Sequence, residues 1–219
     1  MSERGRIAIL EGGDGVGKST VMQLLAERNR EERGRRTFTI EEPDSLRDEN
    51  GVALVPIAEE LRTLIKAKKF ARSALSNVHL FDVSRRENLL QGIEPALAAG
   101  IDIFGARNWE STTVYQGMGQ GWDLDEIERM VLEATSYEYM HPDFTFVLDL
   151  PEKERLQRMA MRDSIATLDT FESLPTEFQM AVNNGYRTLA DMRGYPLISA
   201  LPSAKEIADE IWQHMNKAG

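Results

Sequence analysis

The stretch EGGDGVGKST, residues 11–20, decides the fold. It fits the pattern G-x-x-x-x-G-K-S/T, with Gly12, Gly17, Lys18 and Ser19 at the fixed positions. Glycines at this spacing let backbone N–H groups turn inward around phosphate oxygens, at the positive end of the helix that follows. Lys18 is placed to neutralise the β and γ oxygens of a nucleoside triphosphate, and the Ser19 hydroxyl to hold Mg²⁺. Gly12, Gly13, Gly15, Val16, Gly17, Lys18, Ser19 and Thr20 together form the candidate ATP-binding run.

The flanks give this motif its context. RIAILEGG before it is an apolar run closed by glycines, the pattern of a buried parallel strand. KSTVMQLLAERNREER after it has helical apolar spacing and stops at Gly34. Further strands are expected in RTFTIEEP, IDIFGA, DFTFVLDL and YPLISA. Helices are expected over about 53–68, over about 73–99 with a kink near Pro95, and over 151–162. Two more are expected after Pro175 and after the capping residue Ser203. IDIFGARNWESTTVYQG, residues 101–117, reads as a buried strand running out into a polar loop. Strands alternating with helices imply one α/β domain over residues 1–219: a five-stranded parallel sheet with helices on both faces, a three-layer P-loop NTPase fold.

Composition narrows the function classes. The formal net charge of −10, without a long basic run, argues against a nucleic-acid partner, which needs a concentrated cationic face. Any phosphate site must therefore be local. The absence of cysteine removes disulfide and thiolate chemistry. The charged start has no signal-peptide core and no apolar run approaches a membrane span, so a cytoplasmic protein with no membrane partner is expected. A base-reading N-K-x-D of GTPase switches is not found.

The order of motifs resembles the thymidylate kinases, P-loop nucleoside monophosphate kinases that pass the γ-phosphate of ATP to dTMP. EGGDGVGKST resembles that family's EGxDGxGKST. EEP at 41–43 resembles its R-E-P turn, and HLFDVSRREN, PALAAG and RNWESTTVYQG resemble LFAADRAQH, PAL-x-x-G and DR-x-x-x-S-x-x-x-YQG. HPDFTFVLDL resembles PDLTFxLD, and LDTFE the LDRxE of its lid, here about 158–170. The resemblance covers nearly the whole chain and implies ATP and Mg²⁺, small-molecule nucleotide partners, strand order 2-3-1-4-5 and a homodimer.

It also assigns roles. Phe81 stacks on the base, Arg85 bonds the pyrimidine edge, and Thr112 with Ser111 reaches the base ring. Tyr115 crowds the sugar 2′ position beside Gln116, while Pro43, next to Glu42, lies near the C5 substituent. Arg107 grips the monophosphate, and Asp14 stands between the P-loop and that phosphate. Arg158 and Arg162 are the lid candidates for the transferring phosphoryl group. Read from the residues alone, Phe81 and Tyr115 also fit core positions, Arg85 a solvated helix face, and Arg158 and Arg162 a pair of i,i+4 surface charges.

Four departures stand out. Ala106 occupies the position of an aspartate, Glu41 that of an arginine, Asp44 and Ser45 those of two glycines, and Thr170 that of the lid arginine. Three readings follow. Ser19, Asp14 and Glu42 hold Mg²⁺ with ordered waters and the substrate is dTMP; or the 41–45 loop admits another deoxynucleotide, such as dUMP or a C5-modified one; or the chain binds nucleotides with little transfer.

Overall fold

β1, Ile7–Glu11, is buried along its whole length. Its side chains alternate between two cores, Ile7 and Ile9 on one face, Ala8 and Leu10 on the other. A strand covered on both faces belongs at the centre of a parallel sheet, and its near-continuous apolar sequence follows from that position. The structure, a computed structural model, describes residues 3–67, 72–161 and 175–217. β2 (Thr37–Glu41), β3 (Asp102–Ala106), β4 (Phe144–Asp149) and β5 (Leu197–Ser199) complete one parallel sheet, in the order β2-β3-β1-β4-β5. That is the order the resemblance implied.

Three strands end level: Ala106 lies opposite Leu10 of β1 and opposite Glu41 of β2. From β1 the chain passes outward through α1 (Lys18–Arg33) to β2, whereas β4 lies on the other side of β1. The order reverses at β1, and in open α/β sheets ligands lodge in the crevice beyond such a reversal. α1 and α10 (Ala204–Lys217) close one face, where Leu25, Ile211 and Trp212 pack with Leu10, Phe104 and Phe146. Ser203 and Glu206 form the reciprocal cap at the start of α10, Ser203 N donating to the carboxylate at 2.9 Å.

After β2 come α2 (Pro56–Lys66) and α3 (Ala74–Asn88), which pack on each other; the opposite face of the sheet is covered by a π-helical turn at Leu89–Ile93, α4 (Glu94–Ala98) and the segment after β3. Two expectations are corrected in detail. α2 starts at Pro56, where a missing N–H costs nothing in the first helical turn. The irregularity foreseen near Pro95 is the π turn just before it, where Gly92 allows Leu46 and Val55 close approach.

The larger correction concerns residues 107–117, expected to be a polar loop. They form α5 (Trp109–Thr112) and a π-helical stretch, Thr113–Gly119, in which every residue from Trp109 to Gly117 is buried. Polar side chains there signal a lined cavity rather than exposure to solvent. α6 (Leu124–Ala134) and α7 (Tyr137–Met140) follow, before β4. α8 (Glu152–Met161) and α9 (Thr176–Arg193) lie between β4 and β5. Residues 162–170 of the expected lid, including Arg162 and Thr170, lie outside the described residues.

Candidate active site

The loop after β1 is built to leave donors unfilled. Gly17 precedes α1 with φ 98°, so it offers no capping side chain, and the first turn of α1 carries no acidic residue. Among the described residues, the first N–H groups of α1 therefore face the cavity without a capping side chain, the arrangement an anion needs. Lys18 Nζ donates to the carbonyls of Gly12 (2.9 Å) and Gly13 (2.7 Å). Burial, joined by the charge of Arg107, lowers the Lys18 ammonium to about 7. An anionic ligand would reverse that shift.

The cavity beside this loop measures about 420 Å³. Asp14, Gly15, Gly17, Lys18, Ser19 and Thr20 form one wall. Glu41, Glu42 and Pro43 after β2, with Phe81 and Arg85 from α3, form a second. The third comes from the end of β3 and the helical segment beyond: Ala106, Arg107, Ser111, Thr112, Tyr115 and Gln116. Arg62, Ile65 and Lys66 of α2 close the rim.

Arg107 is the hub of the third wall. Its φ of 69° lies in the left-handed region, unusual for a non-glycine residue and worth on the order of 1–3 kcal/mol in strain. The turn aims its guanidinium back at the P-loop. There it donates to Asp14, to the Gly12 carbonyl (3.2 Å), and to the hydroxyls of Tyr186 (2.7 Å), Tyr115 (3.2 Å) and Ser111 (3.3 Å). Tyr115 donates to the other oxygen of Asp14 at 2.8 Å. Burial alone would raise Asp14, but Arg107 and Lys18 outweigh it and hold the carboxyl down at about 2. Beneath them lies Glu11, fully buried, accepting from Asn108 N (2.6 Å) and the Ser111 hydroxyl (2.8 Å). Burial raises it to about 7 against the lowering pull of Arg107.

Arg85 is the second hub and is not a solvated helix face: it is 1% exposed. It donates through Nε to Glu42, through Nη1 to Asp82 (3.0 Å) and through Nη2 to Thr112 (2.7 Å). Burial would lower its basicity, but Glu42 and Asp82 raise it well above the ordinary value, so the charge persists. A guanidinium has five N–H donors, so two remain for a ligand. The Arg85 guanidinium sits 5.4 Å from the Phe81 ring centroid. Gln116 Nε2 is buried without a partner among the described residues, a donor waiting for an acceptor.

The model of the Thymidylate kinase family matches residues 10–211. The chain belongs to the thymidylate kinase family. The thymidylate kinase of Rhodopseudomonas palustris strain TIE-1 is 35% identical over 216 residues, covering 97% of this chain and 89% of its own. That of Chlorobaculum parvum is 34% identical over 212 residues, covering 92% and 91%. The crystal structure of thymidylate kinase from Ehrlichia chaffeensis superposes with a TM-score of 0.72 over 97% of this chain and 99% of that one. At 23% identity this likeness speaks for the fold alone. Members of this family are nucleoside monophosphate kinases, using ATP as phosphate donor with Mg²⁺.

Within that frame some expected residues are placed differently. Gly12 and Gly13 contribute carbonyls to Lys18, and the Val16 side chain is buried in the core on the α1 face. Arg158 does not line the cavity; it donates to the Ala200 carbonyl at 2.8 Å. The α8 arginine that reaches the P-loop is Arg155, 2% exposed, bonded to Glu152 (2.7 Å) and directed at the Asp14 carbonyl (3.5 Å). Helical spacing alone does not separate the two, because 155 shares a face with both 158 and 159; the rotation of α8 against the P-loop brings Arg155 there. Gly15 meets that same face, within 3.0 Å of Met159 for an added Cβ. Glu11 and Tyr186 were also missed; the first is hidden inside the strand, and the second, bonded to Arg107 and Ser111, lies far from the motifs in sequence. Asp14 and Glu42, expected near the metal, are each held by an arginine.

Asp44 and Ser45 prove not to line the cavity. Asp44 pairs with Arg47 and Arg62, both at 3.3 Å, and Ser45 is fully buried, its hydroxyl accepting from Val55 N at 2.9 Å. These two replacements fasten the 44–55 loop to α2.

Proposed function

We propose that this protein transfers the γ-phosphoryl group of ATP to dTMP, giving dTDP and ADP. The observation that carries the reading is one cavity in which the P-loop, the Arg107 hub and the Arg85 hub face each other across the ends of β1, β2 and β3.

In this reading the N-terminus of α1 and Lys18 bind the β and γ phosphates of ATP. Arg107 grips the acceptor phosphate, and Asp14 with Tyr115 holds the guanidinium at that place. Tyr115 also packs beside the sugar. The two free donors of Arg85, with Thr112 and Gln116, address the pyrimidine edge, while Phe81 and Pro43 supply apolar surface. Arg155 stands where a cation would meet charge developing near the P-loop, and the segment at 158–170, with Arg162, would close over it and exclude water. Among the described residues, the side chains near Ser19 that could ligate a metal offer oxygen, without sulfur or imidazole, which suits Mg²⁺. When bound, that ion would neutralise charge on the phosphates.

The reading includes one kinase domain over the whole chain, a cytoplasmic location and a homodimer. Among the described residues no helix is long and apolar enough to cross a membrane. The engagement of Asp44 and Ser45 with α2 supports thymine over a rebuilt base site. The test is ADP release from Mg·ATP against dTMP, dUMP, 5-hydroxymethyl-dUMP, dCMP, dGMP and UMP. Turnover best with dTMP is expected; turnover with none of them would overturn the assignment. Sedimentation of the same preparation tests the dimer.

A further inference from the structure

Among the described residues, three acidic side chains line the cavity: Asp14, Glu41 and Glu42. Two are already committed. Asp14 is bound to Arg107 and Tyr115, and Glu42 to Arg85. The Glu41 side chain has no hydrogen bond or ion pair among the described residues, yet its charge is felt at Lys18, where it favours the ammonium. Its place in the sheet is defined. Thr37, Thr39 and Glu41 alternate with Phe38 and Ile40, which pack on the opposite face. Thr37 accepts from Asn29 of α1 at 2.9 Å, so this row faces α1. Glu41 therefore stands at the exit edge of the sheet, on the face from which α1 presents Lys18 and Ser19.

Glu41 is also paired in register with Ala106. Ala106 belongs to the core on the α1 face, so its Cβ and the Glu41 side chain point the same way from adjacent strands. Such strands lie about 4.8 Å apart, and glutamate reaches one methylene further than aspartate. An acidic group at the end of β3 and one at the end of β2 are thus alternative ways of bringing a carboxylate to the same place beside Ser19.

We propose that Glu41 is the carboxylate that positions the Mg²⁺ of the ATP complex in this protein, taking from β2 the part that Ala106 cannot play from β3. The inference rests on the kinase reading above, but its test needs no phosphate acceptor. The probe is Mn²⁺, titrated by electron paramagnetic resonance into protein saturated with adenylyl imidodiphosphate, a non-transferable ATP analogue. Glu41→Gln keeps the shape of an exposed side chain at a strand end. It is expected to weaken Mn²⁺ binding to the ternary complex by roughly tenfold or more, with metal-free analogue binding unchanged or tighter. Adding Ala106→Asp to Glu41→Gln is expected to restore most of the Mn²⁺ affinity. Mn²⁺ affinity within twofold of the parent would overturn the proposal. So would an equal loss of metal-free analogue binding, which would mark a merely structural role. Absence of turnover with every monophosphate, alongside the expected Mn²⁺ result, would remove the acceptor assignment and leave Glu41 in place.

Discussion

Placing a second carboxylate at Ala106 should set it against Glu41, and the size of the conflict follows from the register. The two positions are directly paired on adjacent strands and face the same side. With carboxylates about 5 Å apart and an effective dielectric between about 40 and 80, their repulsion is about 1–2 kcal/mol. Single substitutions mix this with the cost of burying charge near Leu10 and Phe104, so the quantity to measure is the coupling in a double-mutant cycle: parent, Ala106→Asp, Glu41→Gln and both. For 219 residues the unfolding entropy near the melting temperature is about 0.46 kcal/mol/K, so the coupling is worth about 2–4 °C. Melts at pH 8, low ionic strength and excess chelator should show Ala106→Asp costing that much more when Glu41 is present. The excess should shrink when Mg²⁺ and the ATP analogue are added, because a dication is shared. A metal-free coupling below about 0.3 kcal/mol, the scatter of independent sites, would refute the geometry on which Glu41 is placed beside position 106.

Asp14→Asn should destabilise the protein by roughly 2 kcal/mol at pH 7, from a carboxyl held at about 2 rather than 3.8. A lowered acid contributes stability above its unfolded value, so the gap in urea midpoints should close as pH falls from about 4 toward 2. Burial lowers Lys18 to about 7 in the free protein, so at pH 8 nucleotide binding that restores its charge should take up protons. Calorimetry in two buffers of different ionisation heat reads this directly; no uptake would mean the ammonium was charged throughout. Glu110 is 2% exposed and raised by burial to about 7, so its ionisation weakens the fold as pH rises from 4.5 through 7. Glu110→Gln should match the parent at pH 4.5 and be more stable above pH 7, by up to roughly 3 kcal/mol. A constant difference across that range would show that Glu110 ionises freely.

The site was only partly legible from the sequence because its polar residues carry two different signals. Gly12 to Thr20 could be read as a unit, since a P-loop is local and its spacing alone fixes which backbone groups turn inward. Residues 108–117 could not. Their serines, threonines and glutamine resemble those of a loop, yet they are helical and buried, their polarity directed into the cavity and at Glu11, Arg85 and Arg107. The place of Arg158 next to the lid sequence made it a candidate, but the rotation of α8 on the P-loop brings Arg155 there instead, and that depends on packing at Gly15 and Met159.

By itself the sequence determined the strand–loop–helix of the P-loop, the alternation of strands and helices and the parallel sheet, because these depend on periodicity and on the conformational freedom of glycine over a few residues. Its likeness to a family supplied the strand order. Only the tertiary structure decided which charges are free to act. Asp14 and Glu42 looked like metal ligands until Arg107 and Arg85, 93 and 43 residues away, were seen to hold them. Glu41 looked like the loss of a cation until it was seen paired with Ala106 across two strands 65 residues apart. A buried charge is defined by its partner, and in a parallel sheet with long crossovers the partner is set by strand order and register rather than by nearness along the chain.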